Sequence, residues 1–154
     1  MKPGTFTQLY IQLDFAVYKR ENLLTIEIRP RIFEYISGII SSMKHKSIIV
    51  NGVADHVHIL FGLNPNVSIS DTVHDIKRSS SLFINENKLM NYHFKWQAGY
   101  GAFSYSRTQI EKVYEYIKNQ ESHHFSKSFR EEYINILESN ELEYNSEYLF
   151  DFFE

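Results

Sequence analysis

The segment from Gln8 to Val17 constrains the fold more than any other part of this chain of 154 residues, because apolar and polar side chains alternate along it. The apolar positions are Leu9, Ile11, Leu13, Phe15 and Val17. A strand turns successive side chains to opposite faces, so this alternation is typical of a strand with one face buried in a sheet. The chain must therefore supply further strands and a layer that covers the apolar face.

The remaining patterns predict the other elements of an α+β protein. They predict a short strand at 23–28, a helix that begins at Pro30, and strands at 47–54 and 56–62. A helix capped by Ser70 or Asp71 and ending near Lys88 follows, then a strand at 102–105 and helices at 106–127 and 129–139. The main order of strand, helix, strand, strand, helix and strand is the split βαβ or ferredoxin-like plan. Helices cover one face of such an antiparallel sheet, and we expect the other face to stay open.

Two histidines lie on one of the predicted strands, separated by a single residue. His56 and His58 share one strand face, while Val57, Ile59 and Phe61 fill the other. Two imidazoles about 6–7 Å apart on a rigid strand can bind one metal ion when a third ligand comes from elsewhere. We expect the pair to project onto the open face of the sheet, where a substrate can reach it.

The predicted helix at 106–127 carries a second group of chemically capable residues. Ser106 and Gln109 match the capping-box pattern that begins a helix. Tyr116 and Gln120 lie one turn apart on the same stripe of that helix. A tyrosine hydroxyl can act as a nucleophile toward phosphorus, and a glutamine carbonyl can be the third ligand of a metal held by two histidines.

Three motifs together resemble those of a known enzyme family. They are His56-Val57-His58, residues 96–104 (WQAGYGAFS) and residues 116–124 (YIKNQESHH), in this order and spacing. The combination resembles the single-tyrosine HUH transposases of bacterial insertion sequences, whose close relatives include the REP-associated tyrosine transposases. The resemblance extends from Tyr10 to about Phe150.

This resemblance implies a metal-dependent DNA transposase that cleaves and rejoins single-stranded DNA at the ends of an insertion sequence. It implies that Tyr116 takes the 5′ phosphate and leaves a 3′ hydroxyl, and that His56, His58 and Gln120 bind the metal. It also implies a homodimer formed by joined sheets that recognises DNA hairpins. In that family the tyrosine helix of one subunit often completes the histidine site of the other.

The ligand chemistry and the resemblance point to different metals. Two imidazoles and one amide, without a carboxylate, suit manganese or zinc-like ions better than magnesium. Asp55 is the nearest acid, and alternation along the strand directs it away from the histidine face. The resemblance implies Mg²⁺ or Mn²⁺, with substrate phosphate and water completing the coordination, and this is our expectation.

Other side chains are candidates for supporting the reaction or contacting DNA. Lys112, one turn before Tyr116, can favour the phenolate, and His123, two turns beyond it, can move a proton. The candidate phosphate contacts are Lys77, Arg78 and Lys95, and the candidates for stacking on unpaired bases are Trp96 and Tyr100.

Composition limits the remaining possibilities. The chain has no cysteine, which excludes disulfides and thiolate metal sites, and we expect neither a signal peptide nor a membrane span. We expect a cytoplasmic protein with a single domain at 1–154, in which a core at 5–127 precedes a C-terminal helix and aromatic tail at 128–154. The net charge is −3, which counts against a general nucleic-acid binder, but all 16 lysines and arginines precede Glu131, so the body of the chain is net positive and compatible with DNA binding through local patches.

Three alternatives remain open. A sheet of four strands with an open face is also the plan of RNA-recognition modules, but those need exposed aromatics on central strands, where this chain places His56 and His58. Replication-initiating or conjugative HUH nucleases are usually larger and space their motifs differently. A domesticated REP-associated endonuclease, which cuts DNA but no longer mobilises an element, fits the same residues. Palindromes that flank the coding sequence would indicate a mobile element, and scattered genomic hairpins a domesticated one.

Overall fold

The computed structural model describes residues 3–121 and 128–144, and its centre is an antiparallel sheet of four strands. The strands are β1 (Tyr10–Ala16), β2 (Lys46–Gly52), β3 (His56–Gly62) and β4 (Gly101–Tyr105). Their spatial order is β2-β3-β1-β4, so β1 pairs with both β3 and β4. The order of the elements and of the strands confirms the predicted ferredoxin-like plan.

Two helices, α1 (Arg29–Ser42) and α2 (Ile69–Glu86), cover one face of the sheet. Pro30 lies in the first turn of α1, where a missing amide hydrogen costs no helical hydrogen bond. The Ser68 hydroxyl accepts a hydrogen bond from the Asp71 amide and caps α2, so the cap predicted at Ser70 or Asp71 is wrong. The fully buried side chains between these helices and the sheet include Leu13, Phe15, Ile36, Ile59 and Ile76.

The two central strands, β1 and β3, present different chemistry on their two faces. Leu13 pairs with Ile59 on the face under α1 and α2. On the opposite face Asp14 pairs with His58, and Ala16 at the end of β1 pairs with His56. Because side chains alternate strictly along paired strands, the register places both histidines on the face away from the apolar core.

The segment at 23–28 is not the short strand that its apolar residues predict. It is irregular and then forms a turn that leads into α1. Leu24 is fully buried, and its amide donates a hydrogen bond to the carbonyl of Ala54. The apolar side chains of this segment fill the core from a loop, so burial explains them without strand pairing.

The second face of the sheet is covered too, so the expectation of an open face is wrong. Helix α3 (Ile110–Lys118) packs Ile110 and Ile117 against Leu60 of β3. Helix α4 (Phe129–Ser139) brings Tyr133 so close to β4 that a Cβ on Gly101 would lie 2.5 Å from the Tyr133 hydroxyl. The histidines therefore lie between the sheet and two helices.

Helix α3 begins as the sequence predicts and ends earlier. Ser106 and Gln109 form the predicted capping box, and one turn of 3-10 helix precedes α3. The helix ends at Lys118, and Asn119 forms a turn before the chain becomes helical again at Gln120. Helix α4 has the predicted bounds. Within the described residues, no helix has the length and hydropathy that a membrane span requires.

Candidate active site

His56 and His58 lie next to each other on β3, buried beneath α3 and α4. Their rings are nearly perpendicular, with centroids 5.0 Å apart, and neither residue is accessible to solvent. The predicted shared face is confirmed by the register of β3 with β1. The predicted exposure of the two rings is wrong, because helices that follow the sheet in sequence fold back over it.

A carboxylate interacts with the Nδ1 atom of each imidazole. His56 Nδ1 lies 2.7 Å from Asp55 Oδ1, and His58 Nδ1 is hydrogen-bonded to Asp14 Oδ1. An Nδ1–H that donates to a carboxylate leaves the Nε2 lone pair for a metal, an arrangement that is common in metal sites. The prediction that Asp55 points away is wrong, since Asp55 lies in a bend before β3 and does not follow the alternation of the strand.

Neither carboxylate was among the site residues predicted from the sequence, although Asp14 left a detectable signal. It is an acid in the middle of β1, on the polar side of the alternating pattern, and it is fully buried. A buried acid requires a partner, because burial of an unpaired charge is very unfavourable. Asp55 is held in turn by Nε of Arg20, which lies 2.9 Å from its Oδ2 atom.

Glu132 of α4 supplies a third ligating group. Its Oε1 atom lies 2.7 Å from Nε2 of His58 and 3.8 Å from Nε2 of His56. The ligating atoms of the three residues all lie within 4.8 Å of one another, which is close enough to bind one metal ion. Glu132 was not among the predicted ligands, because no local pattern in the sequence indicates that α4 returns over the sheet.

Tyr116 and Gln120 reach the same cluster from the other helix. The ring centroid of Tyr116 lies 6.3 Å from that of His58, and its hydroxyl is near enough to Glu132 and Gln120 for both side chains to shift its pKa. Gln120 is fully buried, and its Nε2 lies 3.4 Å from the backbone oxygen of Tyr116. Its Oε1 has no hydrogen-bond partner within the described residues, and such a buried carbonyl oxygen is available to coordinate a metal ion.

The charges around the cluster favour the binding of a cation. Burial acts to lower the pKa of His58, but Asp14 and Glu132 outweigh burial and raise this pKa to about 10. Burial lowers the pKa of His56. Burial and then the charge of Glu132 raise the pKa of Tyr116, so the phenol is held protonated. The cluster therefore takes up positive charge, either as a proton on His58 or as a metal ion in its place.

The donor set fits a divalent metal ion. His56 and His58 offer imidazole nitrogens, Glu132 offers a carboxylate, and Gln120 offers an amide oxygen. The carboxylate changes what the sequence implied about ligand chemistry, because a set with an acidic oxygen suits Mg²⁺ and Mn²⁺ better than two imidazoles and an amide alone.

A cleft of about 560 Å³ between α3 and α4 leads to this cluster. Tyr116 and Glu132 lie in its wall, together with Tyr105 from the sheet and Lys112 from α3. Lys112 is exposed there, one turn from Tyr116, as the spacing predicts. The other predicted supporting residue, His123, lies outside the described residues.

Three of the five predicted DNA contacts lie at the surface. Arg78, Lys95 and Tyr100 are exposed. The ammonium group of Lys95 lies 3.8 Å from the ring centroid of Tyr18, a cation–π contact that fixes the position of the lysine. Their contacts with DNA stay predictions.

The other two predicted DNA contacts, Lys77 and Trp96, make internal contacts. Nζ of Lys77 donates hydrogen bonds to the backbone oxygens of Gln97 at 2.9 Å and Gly99 at 2.7 Å, and burial lowers its pKa to about 8. Trp96 is 7% exposed, and its Nε1 donates a hydrogen bond to the hydroxyl of Ser80 at 2.9 Å. Both residues hold the loop before β4 in place, and their contact with DNA is likewise a prediction.

The covered sheet argues against the RNA-recognition alternative. Those modules stack bases on aromatic side chains of an exposed sheet. Here α3 and α4 lie over that face, and the central strands carry Asp14, His56 and His58 on it.

Comparison with protein families supports the reading of the motifs. A family model described as "Transposase IS200 like" matches residues 5–120, which include the histidine pair, Tyr116 and Gln120. Among curated proteins, no sequence matches this chain.

Two solved structures are similar to this one in fold. One is a provisionally assigned transposase from Deinococcus radiodurans R1, with a TM-score of 0.63 and 21% identity over 78% of this chain and 96% of that chain. The other is a REP-associated tyrosine transposase bound to a REP hairpin, with a TM-score of 0.57 and 12% identity over 80% of this chain and 74% of that chain. At these identities the similarity supports the fold.

Proposed function

Because the chain belongs to the IS200-like transposase family, we propose that it cleaves and rejoins single-stranded DNA at the ends of a mobile element through a tyrosine–DNA intermediate. One observation carries this proposal. The ring centroid of Tyr116 lies 6.3 Å from that of His58, and Nε2 of His58 lies 2.7 Å from the Glu132 carboxylate, whose charge acts on the Tyr116 hydroxyl. A nucleophile is thus next to a group of metal-ligating side chains, which is what a metal-assisted reaction at phosphorus requires.

In this proposal His56, His58 and Glu132 hold a divalent metal ion, Mg²⁺ or Mn²⁺, and Gln120 adds its amide oxygen. Asp55 and Asp14 keep the two imidazoles oriented so that both Nε2 atoms face Glu132, where they would be available to a metal ion. When bound, the ion offsets negative charge on the scissile phosphate and orients it for in-line attack.

Tyr116 performs the covalent step. Its Oη forms a bond to phosphorus, the bond from phosphorus to the 3′ oxygen of the preceding nucleotide breaks, and that oxygen leaves as a 3′ hydroxyl. The 5′ phosphate stays on Tyr116 as an ester that conserves the energy of the broken bond, so attack by another 3′ hydroxyl rejoins DNA without ATP. Lys112 supplies a positive charge beside the phenol, and His123 remains a candidate for moving its proton.

The DNA partner in this proposal is a single strand that carries a hairpin near the element end. The similar REP-associated transposase is described in complex with a hairpin, which motivates this choice. We assign the surface contacts with DNA to Arg78, Lys95 and Tyr100. Lys77 and Trp96 support the loop before β4, which carries Lys95 and Tyr100. A homodimer is part of the proposal, in which Tyr116 acts either on the histidines of its own chain, where the ring centroid of His58 lies 6.3 Å away, or on those of the other subunit.

The test is the covalent adduct itself. Wild-type protein with Mn²⁺ and a hairpin-bearing single strand should form a DNA–protein adduct, and mass spectrometry should find the DNA on Tyr116. Tyr116→Phe should form none, because the nucleophile is removed with little change in volume. Tyr114→Phe is the matched control on the same helix and should react like the wild type. An adduct on another tyrosine, or equal cleavage of a blunt duplex without a hairpin, would contradict the proposal.

A further inference from the structure

The cleft between α3 and α4 contains polar groups that the reaction at Tyr116 does not use. Asn135 of α4 is exposed in the cleft, and its side chain forms no hydrogen bond within the described residues. Asn140 donates its Nδ2 to the carbonyl of Ile136, which fixes the amide plane and leaves Oδ1 available. Besides these two amides, the cleft contains two charged groups that the proposed reaction also uses, a cation on Lys112 and, as the single acid among the lining residues of the described chain, Glu132.

The cleft lies next to Tyr116, so its occupant should be the part of the DNA strand that adjoins the reacting phosphate. Tyr116 and Glu132 line the cleft, so a strand whose phosphate reaches Tyr116 has this space beside it to occupy. A volume of about 560 Å³ is that of a small-molecule site and admits roughly one or two unpaired nucleotides, not a duplex. A side-chain amide has a hydrogen-bond donor next to an acceptor, so it can form two hydrogen bonds with the edge of a base. The ammonium group of Lys112 can form an ion pair with a phosphate.

We infer that this cleft holds the unpaired nucleotides next to the scissile phosphate, and that Asn135 and Asn140 recognise a base there. The ring of Tyr105, which is fixed by its hydroxyl hydrogen bond to Gln12 at 3.0 Å, forms the sheet side of the cleft and offers a surface for stacking. This inference rests on the proposed function and adds a specificity site to it. It makes α4 a part of the substrate site, whereas the family match ends at residue 120.

The first experiment measures base preference. Single strands that differ only at the nucleotides on either side of the cleaved phosphate are compared by the rate of adduct formation with Mn²⁺. The Asn135→Ala and Asn140→Ala variants should lose about tenfold in the ratio between the preferred and the other bases, because each removes a contact to a base edge. Adduct should still form on Tyr116.

A matched control separates recognition from helix capping. Asn87 ends α2 as Asn140 ends α4, and each donates Nδ2 to the carbonyl four residues earlier. Asn87→Ala therefore removes the same cap far from the cleft and should keep the wild-type base preference. A double Asn135→Ala, Asn140→Ala variant with unchanged preference would overturn the inference while the adduct on Tyr116 upholds the proposed function. A wild-type protein that forms no adduct with any single strand would overturn both.

The second experiment tests the phosphate contact. In a Tyr116→Phe background, which binds without reacting, Lys112→Gln should weaken binding of the single strand and reduce the slope of log affinity against log salt by about one. Lys118→Gln, at an exposed position of α3 outside the cleft, is the control and should keep the slope. Equal slopes for Lys112→Gln and the parent protein would contradict the assignment.

Discussion

The face of the sheet under α1 and α2 and the face under α3 and α4 are both buried, but their interiors differ. The first contains apolar side chains such as Leu13, Phe15 and Ile59. The second contains Asp14 and His58 over a small apolar cluster. Apolar burial stabilises a fold whatever the protonation state or the metal content, whereas buried ionisable groups stabilise it only while they remain paired. The face under α1 and α2 therefore contributes to stability with or without a metal ion, whereas the contribution of the face under α3 and α4 depends on what its ionisable groups bind.

The largest expected effect is on the apolar face. Phe15→Ala removes a fully buried ring that packs edge-on against Trp96 with centroids 4.8 Å apart, and it should reduce the free energy of unfolding by about 3–5 kcal/mol. Urea unfolding measures this loss, which should be equal with Mn²⁺ and with a chelator. A loss that depends on the metal would break the distinction between the two faces.

The next effect belongs to the polar face. Mn²⁺ at about 100 times its dissociation constant should stabilise the wild-type protein by about 2.7 kcal/mol, because the ion binds the folded state. His56→Ala should abolish most of this gain, since it removes a ligand of the buried cluster. His74→Ala, at an exposed histidine of α2, should leave the gain unchanged. Thermal unfolding with and without Mn²⁺ measures both variants, and a full gain in His56→Ala would exclude this site.

The smallest effect concerns Lys77, whose Nζ lies 5.2 Å from the Phe15 ring centroid, because this ammonium group is only partly buried and keeps hydrogen bonds to two backbone oxygens. Burial lowers its pKa to about 8 from 10.5, so between these pH values the unfolded chain binds more protons than the folded one. The stability of the wild type should therefore rise across this range relative to Lys77→Met, and the unfavourable contribution should be complete below it. Urea midpoints at several pH values measure the difference. A constant difference would mean that the amine is not perturbed.

Much of the fold could be predicted because strand alternation and helix caps are local signals. The alternation of β1 and the bounds of β3 and α4 follow from residues that lie next to each other in the sequence. The segment at 23–28 was mistaken for a strand because an apolar run has the same appearance in a strand and in a buried loop. The spacing of apolar residues alone does not show with which backbone groups a segment forms hydrogen bonds.

The candidate site was predictable in part for the same reason. His56 with His58 and Tyr116 with Gln120 are each local pairs, and spacing alone places each pair on one face. Glu132 belongs to the same cluster only because α4 folds back over the sheet, and no local pattern encodes that return. The missed helix cover also explains why the histidines were expected to be exposed.

The alternation of β3 has a consequence for how the chain finds its native pairing. A shift of one residue against β1 would turn His56 and His58 into the apolar layer and Val57, Ile59 toward the carboxylates. Such a slip would be unfavourable for two reasons. It would bury the two histidines among apolar side chains, and it would remove Val57 and Ile59 from the apolar core. The tight connection from β2 to β3 requires a glycine in the native register, since a Cβ on Gly52 would lie 2.2 Å from the His56 carbonyl oxygen. The side chains that give the strand its chemistry thus also act against misfolded registers of the hairpin.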